Sequence, residues 1–345
     1  MKSSRNLAIM LGVLLAALAS AAAASAGGTS AKGDTLTGAG ATFPFPLISK
    51  WQADYESKTG VKINYSPIGS GGGIQAITAR TVDFGASDAP LTPDQLAACK
   101  GCVQIPWVLS STAVMYNLPN VPNNLKLTGP IIAKMYLGQI TKWNDPAIAA
   151  LNKTVNLPAI DVTPVYRSDG SGTTYNFTDY LSAASSDFKS KVGRSTQVNW
   201  PKGVGGRGSS GVAGVVTRTE GGLGYADIAY ALTNRIKFAS VQNRDGKFVT
   251  PGLKAIAAAA SLIKTVPAGN EMHLVNPRKG NPLAYPICTF SYVLLPTKTD
   301  KAAELRRFVF YALTQGQAFG PKILFVPIPK VVLVAAERTL KQVQS

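Results

Sequence analysis

The change from apolar to polar chemistry is sharpest at Tyr166-Arg167-Ser168-Asp169-Gly170-Ser171-Gly172-Thr173-Thr174. The apolar residues before this run alternate from Ile160 onward, whereas those after it, beginning at Phe177, recur at helical spacing. The pattern predicts a strand that turns directly into a helix. A turn of this kind directs unpaired backbone N–H groups forward and suits an oxyanion. The same residues also suit a flexible turn with a helix cap, so the run alone leaves both interpretations open.

The residue types in this run supply the chemistry of an oxyanion site. Arg167 carries a planar fork of N–H donors that fits a tetrahedral oxyanion better than a lysine does. Asp169, two residues later, can hold that guanidinium in place. Gly170 and Gly172 let the backbone bend and approach a ligand closely. Beside the first amides of the helix we expect the hydroxyl groups of Ser171, Thr173 and Thr174.

Earlier parts of the chain repeat the order strand, polar turn, helix. A glycine turn precedes a helix that ends at Gly60, a second strand leads into a glycine-rich turn at residues 69–73, and a third strand ends on an acid. This alternation predicts an α/β fold with helices on both faces of a sheet. Ligands of such folds gather at the carboxyl ends of the strands. The polar residues expected there are Thr42, Ser70, Asp88 and Arg167.

The first 26 residues have the pattern of a secretory signal peptide. Lys2 and Arg5 precede an apolar run at residues 7–19, and small residues follow at 24–26. The run is shorter than the roughly 20 residues that a spanning helix needs, and no later segment reaches that length without polar interruption. No cysteine lies at the predicted cleavage site directly after the run. We therefore expect an exported, periplasmic, soluble protein without a lipid anchor, with a mature part long enough for two lobes.

The sequence is strongly basic. It has 35 Lys and Arg residues against 18 Asp and Glu, and removing Lys2 and Arg5 with the predicted signal peptide leaves 33 basic residues. This balance predicts anionic ligands or partners. The basic residues are scattered singly, without the stripes and interleaved aromatic residues that are typical of nucleic-acid binders. We therefore do not expect nucleic acid as a partner.

The cysteines are Cys99, Cys102 and Cys288. In an exported protein we expect a local disulfide between Cys99 and Cys102, and we expect Cys288 to be a buried thiol in a packed strand. A redox-active pair would stand at a helix N-terminus, whereas this pair follows a predicted helix. A zinc site would need more ligands than these thiols and the one histidine, His273, provide.

Common catalytic arrangements do not occur in this sequence. His273 lies far from any Gly-x-Ser-x-Gly motif, which the chain lacks, and a P-loop is missing as well. Residues 203–208 match the dinucleotide-binding glycine pattern, but no clear apolar strand precedes them, so we interpret them as a structural loop. We expect no enzyme, no metal and no cofactor, but a site that holds an anion.

Four motifs together resemble the phosphate-binding proteins of high-affinity bacterial phosphate ABC transporters. They are Gly38-Ala39-Gly40-Ala41-Thr42-Phe43-Pro44, Ile68-Gly69-Ser70-Gly71-Gly72, Val82-Asp83-Phe84-Gly85-Ala86-Ser87-Asp88-Ala89-Pro90-Leu91 and Arg167-Ser168-Asp169-Gly170-Ser171-Gly172-Thr173. The likeness covers essentially the whole mature chain, and the order and spacing of the motifs are specific. The resemblance implies a class II periplasmic-binding-protein fold, with two α/β lobes that are joined by crossing strands and close on one phosphate ion.

The resemblance also implies a ligand set and a transport role. Asp169 would support Arg167, and the protein, a monomer, would deliver inorganic phosphate to the membrane permease subunits of an ABC transporter with its ATPase. The loop from Cys99 to Cys102 and the thiol of Cys288 depart from the family's usual pattern without replacing a ligand residue. The implied phosphate contacts are Thr42, Phe43 through its backbone, Ser70, Asp88, Arg167, Ser171, Gly172 and Thr173.

The division of these contacts predicts two discontinuous lobes, residues 33–110 with 289–345 and residues 111–288. The expected crossings between lobes are the Pro- and Asn-rich loop at 117–124 and the apolar strand at 287–295. Two other functions remain open. An exported phosphoesterase would turn over a chromogenic ester, and a sulfate or molybdate binder of the same fold should lack a carboxylate in its pocket.

Overall fold

Strands and helices alternate along residues 35–345, the part of the chain that the computed structural model describes. The α/β class expected from the sequence is confirmed. The predicted signal peptide at residues 1–26 lies outside the described residues. Among the described residues, no helix has the length and apolar character needed to cross a bilayer.

The elements are as follows. The strands are β1 (Thr35–Gly40), β2 (Lys62–Ser66), β3 (Phe84–Ser87), β4 (Cys102–Tyr116), β5 (Lys126–Leu127), β6 (Thr163–Arg167), β7 (Val204–Gly206), β8 (Gly222–Asp227), β9 (Lys237–Phe238), β10 (Ser240–Gln242), β11 (Phe248–Val249) and β12 (Cys288–Pro296). The α-helices are α1 (Phe45–Thr59), α2 (Ser70–Thr78), α3 (Pro93–Cys99), α4 (Gly129–Tyr136), α5 (Pro146–Ala149), α6 (Gly172–Ala184), α7 (Ser186–Lys191), α8 (Gly208–Arg218), α9 (Ile228–Thr233), α10 (Leu253–Ala260), α11 (Ala302–Leu313) and α12 (Lys330–Leu340).

Helix α1 shows how the apolar pattern specifies an element. Leu47, Ile48, Trp51 and Tyr55 recur every three or four residues, and all four are buried. The helix ends at Gly60, whose φ of 73° is left-handed and favours glycine. The buried face and the end of α1 that the sequence predicts are therefore confirmed.

A nine-stranded sheet has the order β2-β1-β3-β12-β4-β8-β6-β7, and β9 also pairs with β4. The first part of β4 pairs with β12 up to Ser111, and its second part pairs with β8 from Thr112 onward. These pairings are antiparallel, whereas β1 pairs in parallel with β2 and β3, and β6 pairs in parallel with β7 and β8. The sheet thus consists of two parallel halves that the antiparallel strands β4 and β12 join.

This topology corrects the expected first crossing. The loop at residues 117–124 comes after the point where β4 changes partner, and the Asn117 side chain donates to the carbonyl groups of Thr217 and Thr219. The loop therefore packs against one half of the sheet. The long strand β4 itself makes the passage, because its polar stretch around Ser111 remains in the hydrogen-bonded ladder.

Two further elements differ from the predictions. Helix α2 begins at Ser70 rather than at Ile74, so the expected glycine turn forms the first turn of the helix. A side chain at Gly73 would place its Cβ 2.5 Å from the Cα of Gly40, so the glycine allows α2 to pack tightly on β1. The apolar, Pro-punctuated residues 324–329 predict a strand, whereas the structure has a single bridge there, between Val326 and Leu109.

Each half of the sheet carries an aromatic cluster. The first is centred on Phe84 and the second on Tyr225, and both rings are fully buried. Edge, tilted and stacked contacts join Phe84 to Tyr65, Trp107 and Phe308, and Tyr225 to Tyr136, Phe177 and Trp200. Each half thus has its own group of large aromatic side chains within one continuous hydrophobic core.

The cysteines lie away from the polar turns. Cys99 and Cys102 form a disulfide between the end of α3 and the start of β4, with their Cα atoms 5.6 Å apart. Arg80 donates a hydrogen bond to the carbonyl oxygen of Cys99 at 2.8 Å. Cys288 is a buried free thiol, and burial raises its pKa above the usual value.

Candidate functional site

The segments that follow β1, β3 and β6 meet the first turns of α2, α6 and α8 in one cleft between the two halves of the sheet. A backbone hydrogen bond of 2.9 Å from Gly71 to Gly170 joins the second and third predicted motifs directly. A cavity of about 320 Å³ opens beside this contact and is lined in part by Thr42, Asp169 and Tyr230. The structure thus brings together polar residues that lie far apart in the sequence.

Asp88 lies at the centre of the cleft, immediately after β3. The turn after β3 is capped by Ser87, whose hydroxyl accepts from the amide of Ala89 at 3.1 Å. Because Ser87 takes this capping role, the Asp88 carboxylate is directed to other partners. Its Oδ1 accepts from the Ser291 hydroxyl at 2.7 Å, and its Oδ2 accepts from the Thr173 hydroxyl at 3.3 Å. The sequence, with Ala89 and Pro90 after Asp88, also allows Asp88 to act only as a turn cap, and these contacts do not support that alternative.

The environment of Asp88 changes its acidity. Its side chain is almost completely inaccessible, at 1% exposure, and burial raises its pKa to about 7. The hydrogen bond from Ser291, the charge of Arg167 and the hydrogen bond from Thr173 each act in the opposite direction. The charged and neutral forms of the carboxyl group are thus closer in free energy than those of an exposed aspartate, and the group can accept or donate a hydrogen bond depending on pH.

Arg167 and Asp169 form a bidentate ion pair beside Asp88. Nε of Arg167 donates to Oδ1 of Asp169 at 2.7 Å, and Nη2 donates to Oδ2. The amide of Gly208 also donates to Oδ1 of Asp169, at 2.9 Å. Although burial alone would raise the pKa of Asp169, its bonds to Arg167 and Gly208 hold that pKa below the usual value. The pair fixes the guanidinium plane and leaves Nη1 of Arg167 for a ligand.

Ser70, at the start of α2, connects the two halves through its hydroxyl oxygen. This oxygen accepts from the amide of Asp88 at 3.2 Å and from the amide of Gly172 at 3.0 Å. Both bonds use the lone pairs of the oxygen, so the hydroxyl hydrogen remains to act as a donor. Ser70 is therefore arranged as a hydrogen-bond donor, which is the role that an anion requires.

The N-terminus of α6 adds the positive end of a helix dipole to the cleft. Ser171 is the N-cap residue, and its hydroxyl oxygen accepts from the amide of Thr174 at 3.1 Å. The amide of Ser171 donates to the carbonyl oxygen of Thr196 at 2.8 Å, so that amide is occupied by the protein. Gly172 is packed so closely that a Cβ there would lie 2.7 Å from the Cα of Asp88. Helix α6 therefore presents its positive end to the cleft at very short range.

Thr42 and Phe43 lie on the other side of the cleft, between β1 and α1. The hydroxyl of Thr42 forms a hydrogen bond of 2.8 Å with the hydroxyl of Ser209, and it accepts from the Ser209 amide at 3.1 Å. The ring of Phe43 packs edge-on against Phe325, so only the backbone of Phe43 can face the cleft. All nine predicted phosphate-site residues thus line or border one cleft.

Four residues around the cleft were missed by the sequence analysis. Ser209 directly follows the glycine run 203–208. We expected this run to be only a structural loop, but it leads into the first turn of α8, where Gly208 contacts Asp169 and Ser209 contacts Thr42. Tyr230 donates to the carbonyl oxygen of Thr42 at 2.6 Å, and Asn176 donates to that of Asp88 at 2.7 Å. The fourth residue is Ser291. Polar residues at the ends of apolar strands were the one signal that could have indicated such positions.

The predicted histidine and cysteine positions stand apart from this cleft. His273 is largely exposed and contacts Asp179 through its Nε2 at 2.6 Å. Within residues 35–345, no cluster of three or more His, Cys, Asp or Glu residues is placed to hold a metal ion.

Comparison with known proteins identifies the family of this chain. Residues 21–315 match the family described as "PBP superfamily domain". The phosphate-binding protein PstS of Xylella fastidiosa strain Temecula1 is 43% identical over 302 residues, which are 86% of this chain and 82% of that protein. The protein of the same name from Pasteurella multocida is 41% identical over 309 residues, 88% of this chain and 89% of that protein. These names describe solute-binding proteins and not enzymes.

Solved structures show the same fold. A high-affinity periplasmic phosphate-binding protein bound with phosphate (PfluDING) has a TM-score of 0.70 at 20% identity, over 88% of this chain and 93% of that one. A phosphate-binding protein from Stenotrophomonas maltophilia has a TM-score of 0.69, also at 20% identity and with the same coverage. The chain therefore belongs to the PBP superfamily and, within it, to the PstS family of phosphate-binding proteins.

Proposed function

We propose that this chain captures one inorganic phosphate ion in the cleft and delivers it to a phosphate ABC transporter. The observation that carries the proposal is the arrangement around Asp88. A buried carboxyl group with a pKa near 7 stands among hydrogen-bond donors from Arg167, Ser70 and the N-terminus of α6. Relatives named for phosphate binding support the same ligand.

The donors match the charge and shape of a tetrahedral anion. Arg167 contributes a fixed positive charge, Thr42 and Ser70 contribute hydroxyl groups, and α6 contributes the positive end of its helix dipole. The remaining ligand residues in this proposal are Phe43, Ser171, Gly172 and Thr173, and Asp169 holds the guanidinium. The strongly basic composition of the chain agrees with an anionic ligand, since 35 Lys and Arg residues face 18 Asp and Glu.

Asp88 gives the site its preference for phosphate over sulfate. Phosphate keeps at least one proton near neutral pH and can share it with the Asp88 carboxyl group, because the acidities of the two groups are similar. Sulfate carries no proton, so it would meet the ionised Asp88 with like charges and no hydrogen bond. In a site shielded from water this mismatch costs several kcal/mol, which is about a thousandfold in affinity.

The arrangement of the cleft supports a hinged two-lobe protein. The ligand residues divide between residues 33–110 with 289–345 and residues 111–288, and β4 and β12 are the strands of the nine-stranded sheet that run across that division. We propose that phosphate closes these lobes by bringing Arg167 and the α6 N-terminus onto Asp88 and Ser70. The closed form would act as an exported monomer on the permease subunits, which work with their ATPase.

Calorimetric titration tests the proposed ligand. At pH 8 we expect one phosphate ion to bind per chain and sulfate to bind at least about a thousandfold more weakly. Asp88→Asn should lower the ratio of phosphate affinity to sulfate affinity, mainly by raising sulfate affinity, because the amide can donate a hydrogen bond. Asp83→Asn is the matched control. Asp83 precedes the same strand but contacts Thr37 and Lys301.

The proposal would be wrong if the parent protein bound neither anion, or if it bound sulfate as tightly as phosphate. Release of a chromogenic product from a phosphate ester would indicate a phosphoesterase instead. An unchanged phosphate-to-sulfate ratio in Asp88→Asn would remove the role of Asp88 as discriminator and leave the rest of the site intact.

A further inference from the structure

Ser291 contacts the discriminating carboxyl group from the neighbouring strand, β12. Its hydroxyl donates to Oδ1 of Asp88 at 2.7 Å, and the residue is completely buried. It belongs to β12, one of the two strands that join the halves of the sheet, and to none of the motifs that resemble the family. The contact therefore links the anion site to a strand that the ligand itself does not need to touch.

The pairing of β12 with β3 determines the position of the Ser291 hydroxyl. Tyr292 of β12 pairs with Ser87 of β3 in antiparallel register, so Ser291 lies opposite Asp88, one residue beyond the end of β3. Directly opposed residues of an antiparallel pair point to the same face of the sheet. The position of Ser291 is therefore fixed by the backbone ladder, and its hydroxyl needs no loop movement to reach Asp88.

We propose that Ser291 is a specificity-determining residue of this anion site, because its hydroxyl occupies Oδ1 of Asp88 as a donor and leaves Oδ2 as the proton acceptor toward the ligand. This inference rests on the proposed phosphate function. Thr173, whose hydroxyl contacts Oδ2 at 3.3 Å, marks the side of the carboxylate that faces α6 and the cleft.

The contact favours the charged form of Asp88. A hydroxyl that donates to a carboxylate stabilises the charged form over the neutral acid. If Oδ1 carried the proton, Ser291 would have to accept it and turn its own hydrogen to the carbonyl oxygen of Ser87, which lies 3.4 Å away. That bond is longer and weaker than the bond of 2.7 Å to Oδ1. Ser291 therefore works against protonation of Asp88.

This preference decides which anion the site admits. A neutral Asp88 could donate its proton to sulfate and thereby weaken the discrimination, whereas a charged Asp88 accepts only from a ligand that has a proton. Burial opposes the charged form and raises the pKa of Asp88 to about 7, so a single donor can change the protonation state near neutral pH. The other charged or titratable groups around Asp88 are Arg167, Tyr65, Asp227, Tyr230 and Tyr292.

The test is the pH dependence of sulfate binding, measured by calorimetry between pH 5 and pH 8.5 with phosphate in parallel. In the parent protein, sulfate affinity should rise as the pH falls and Asp88 becomes protonated. In Ser291→Ala, the midpoint of this rise should move up by about one pH unit, since a hydrogen bond to a charged group is lost. At a pH well above the parent midpoint, sulfate affinity should increase by up to about tenfold. Phosphate affinity should change less, because phosphate can share its own proton.

Two further variants separate specificity from packing. Thr289→Val removes another buried hydroxyl of β12, which donates to the carbonyl oxygen of Phe290, and it should leave the sulfate midpoint unchanged. Ser291→Cys keeps a similar volume but provides a weaker donor, so its midpoint should lie between those of the parent and Ser291→Ala. This variant carries the test if the alanine variant does not fold.

The results distinguish this inference from the proposed function. A sulfate midpoint in Ser291→Ala or Ser291→Cys equal to that of the parent, or an equal shift in Thr289→Val, would overturn the role of Ser291. In either case the parent's own preference for phosphate would still stand. If the parent bound no phosphate, the proposed function would fail first and the inference would fail with it.

Discussion

Removing the guanidinium of Arg167 should nearly abolish anion binding, whereas neutralising Asp169 should weaken it moderately. The side chain of Arg167 is 1% exposed, and its Nε and Nη2 atoms are held by Asp169. Nη1 and the second hydrogen of Nη2 then offer two charge-assisted hydrogen bonds to a ligand. Each such bond contributes about 1.5 to 3 kcal/mol.

The magnitude follows from these contacts. The loss of two bonds in Arg167→Ala corresponds to about 3 to 6 kcal/mol, or roughly a hundredfold to ten-thousandfold in phosphate affinity. The variant also leaves the Asp169 carboxylate without its partner near an anion site, which acts in the same direction. In Asp169→Asn the guanidinium remains, and the amide oxygen still accepts one of its two bonds, so we expect a loss of about tenfold or less.

Isothermal titration calorimetry with phosphate measures both variants, and thermal unfolding checks that each is folded. Arg167→Lys keeps the charge without the planar fork and should lie between the parent and Arg167→Ala. Arg207→Ala removes an equal charge from the exposed edge of the cavity and serves as the control for bulk electrostatics. Equal affinities for Arg167→Ala and Asp169→Asn would refute the division between a ligand residue and a supporting residue. A large loss in Arg207→Ala would show that net charge, not geometry, governs the site.

Three further predictions concern closure, oxidation and pH. Gly172→Ala would put a Cβ 2.7 Å from the Cα of Asp88, so it should reduce both phosphate affinity and the compaction that X-ray scattering detects on binding. Gly252→Ala is the control, because a Cβ there meets nothing within 4 Å, and it should change neither quantity. Mass spectrometry after alkylation of the unfolded, unreduced protein should find Cys99 and Cys102 joined and Cys288 modified, and two alkylated thiols at 99 and 102 would contradict this. Because the pKa of Asp88 is raised from 3.8 to about 7 in the fold, its contribution to stability is full below about pH 4 and declines as the pH rises to about 7. In urea unfolding without phosphate or sulfate, the free energy of unfolding of Asp88→Asn should therefore increase relative to that of the parent by up to about 1.4 kcal/mol per pH unit between pH 4 and pH 7. A difference that stays constant over this range would exclude the linkage.

Local patterns predicted most of the elements because each one depends on near neighbours. The spacing of apolar residues specified α1 and α11, whose inward residues Leu305, Phe308 and Val309 are buried as expected. The start of α2 was missed because glycines normally indicate a turn, whereas here Gly73 is needed for close packing on β1. Sequence spacing does not reveal which backbone will approach another from a distant part of the chain.

The same limit applies to the cleft. The predicted residues of the four motifs converge in one place. The alternation of strands, polar turns and helices indicated where they would meet, whereas the complete set of ligand residues came from the resemblance to the family. Ser291 and Ser209 were missed because their roles depend on strand register and on where α8 begins. Asp88 was open to two interpretations in the sequence. The observation that Ser87 caps the turn decides between them, and only the structure provides it.

The hydrogen bonds that cross the cleft between protein atoms have a kinetic consequence. Gly71 bonds to Gly170, Ser70 to Gly172, and Tyr230 to Thr42, and each of these pairs joins residues from opposite sides of the division between the halves. An ion enclosed behind these bonds can leave only after they break together, so the dissociation rate should equal the opening rate of the cleft and not depend on how the ion diffuses. Substitutions could then change the residence time of the bound ion separately from its affinity. Tyr230→Phe, which loses a single crossing bond outside the ion's reach, should shorten the residence time with little change in the choice of anion.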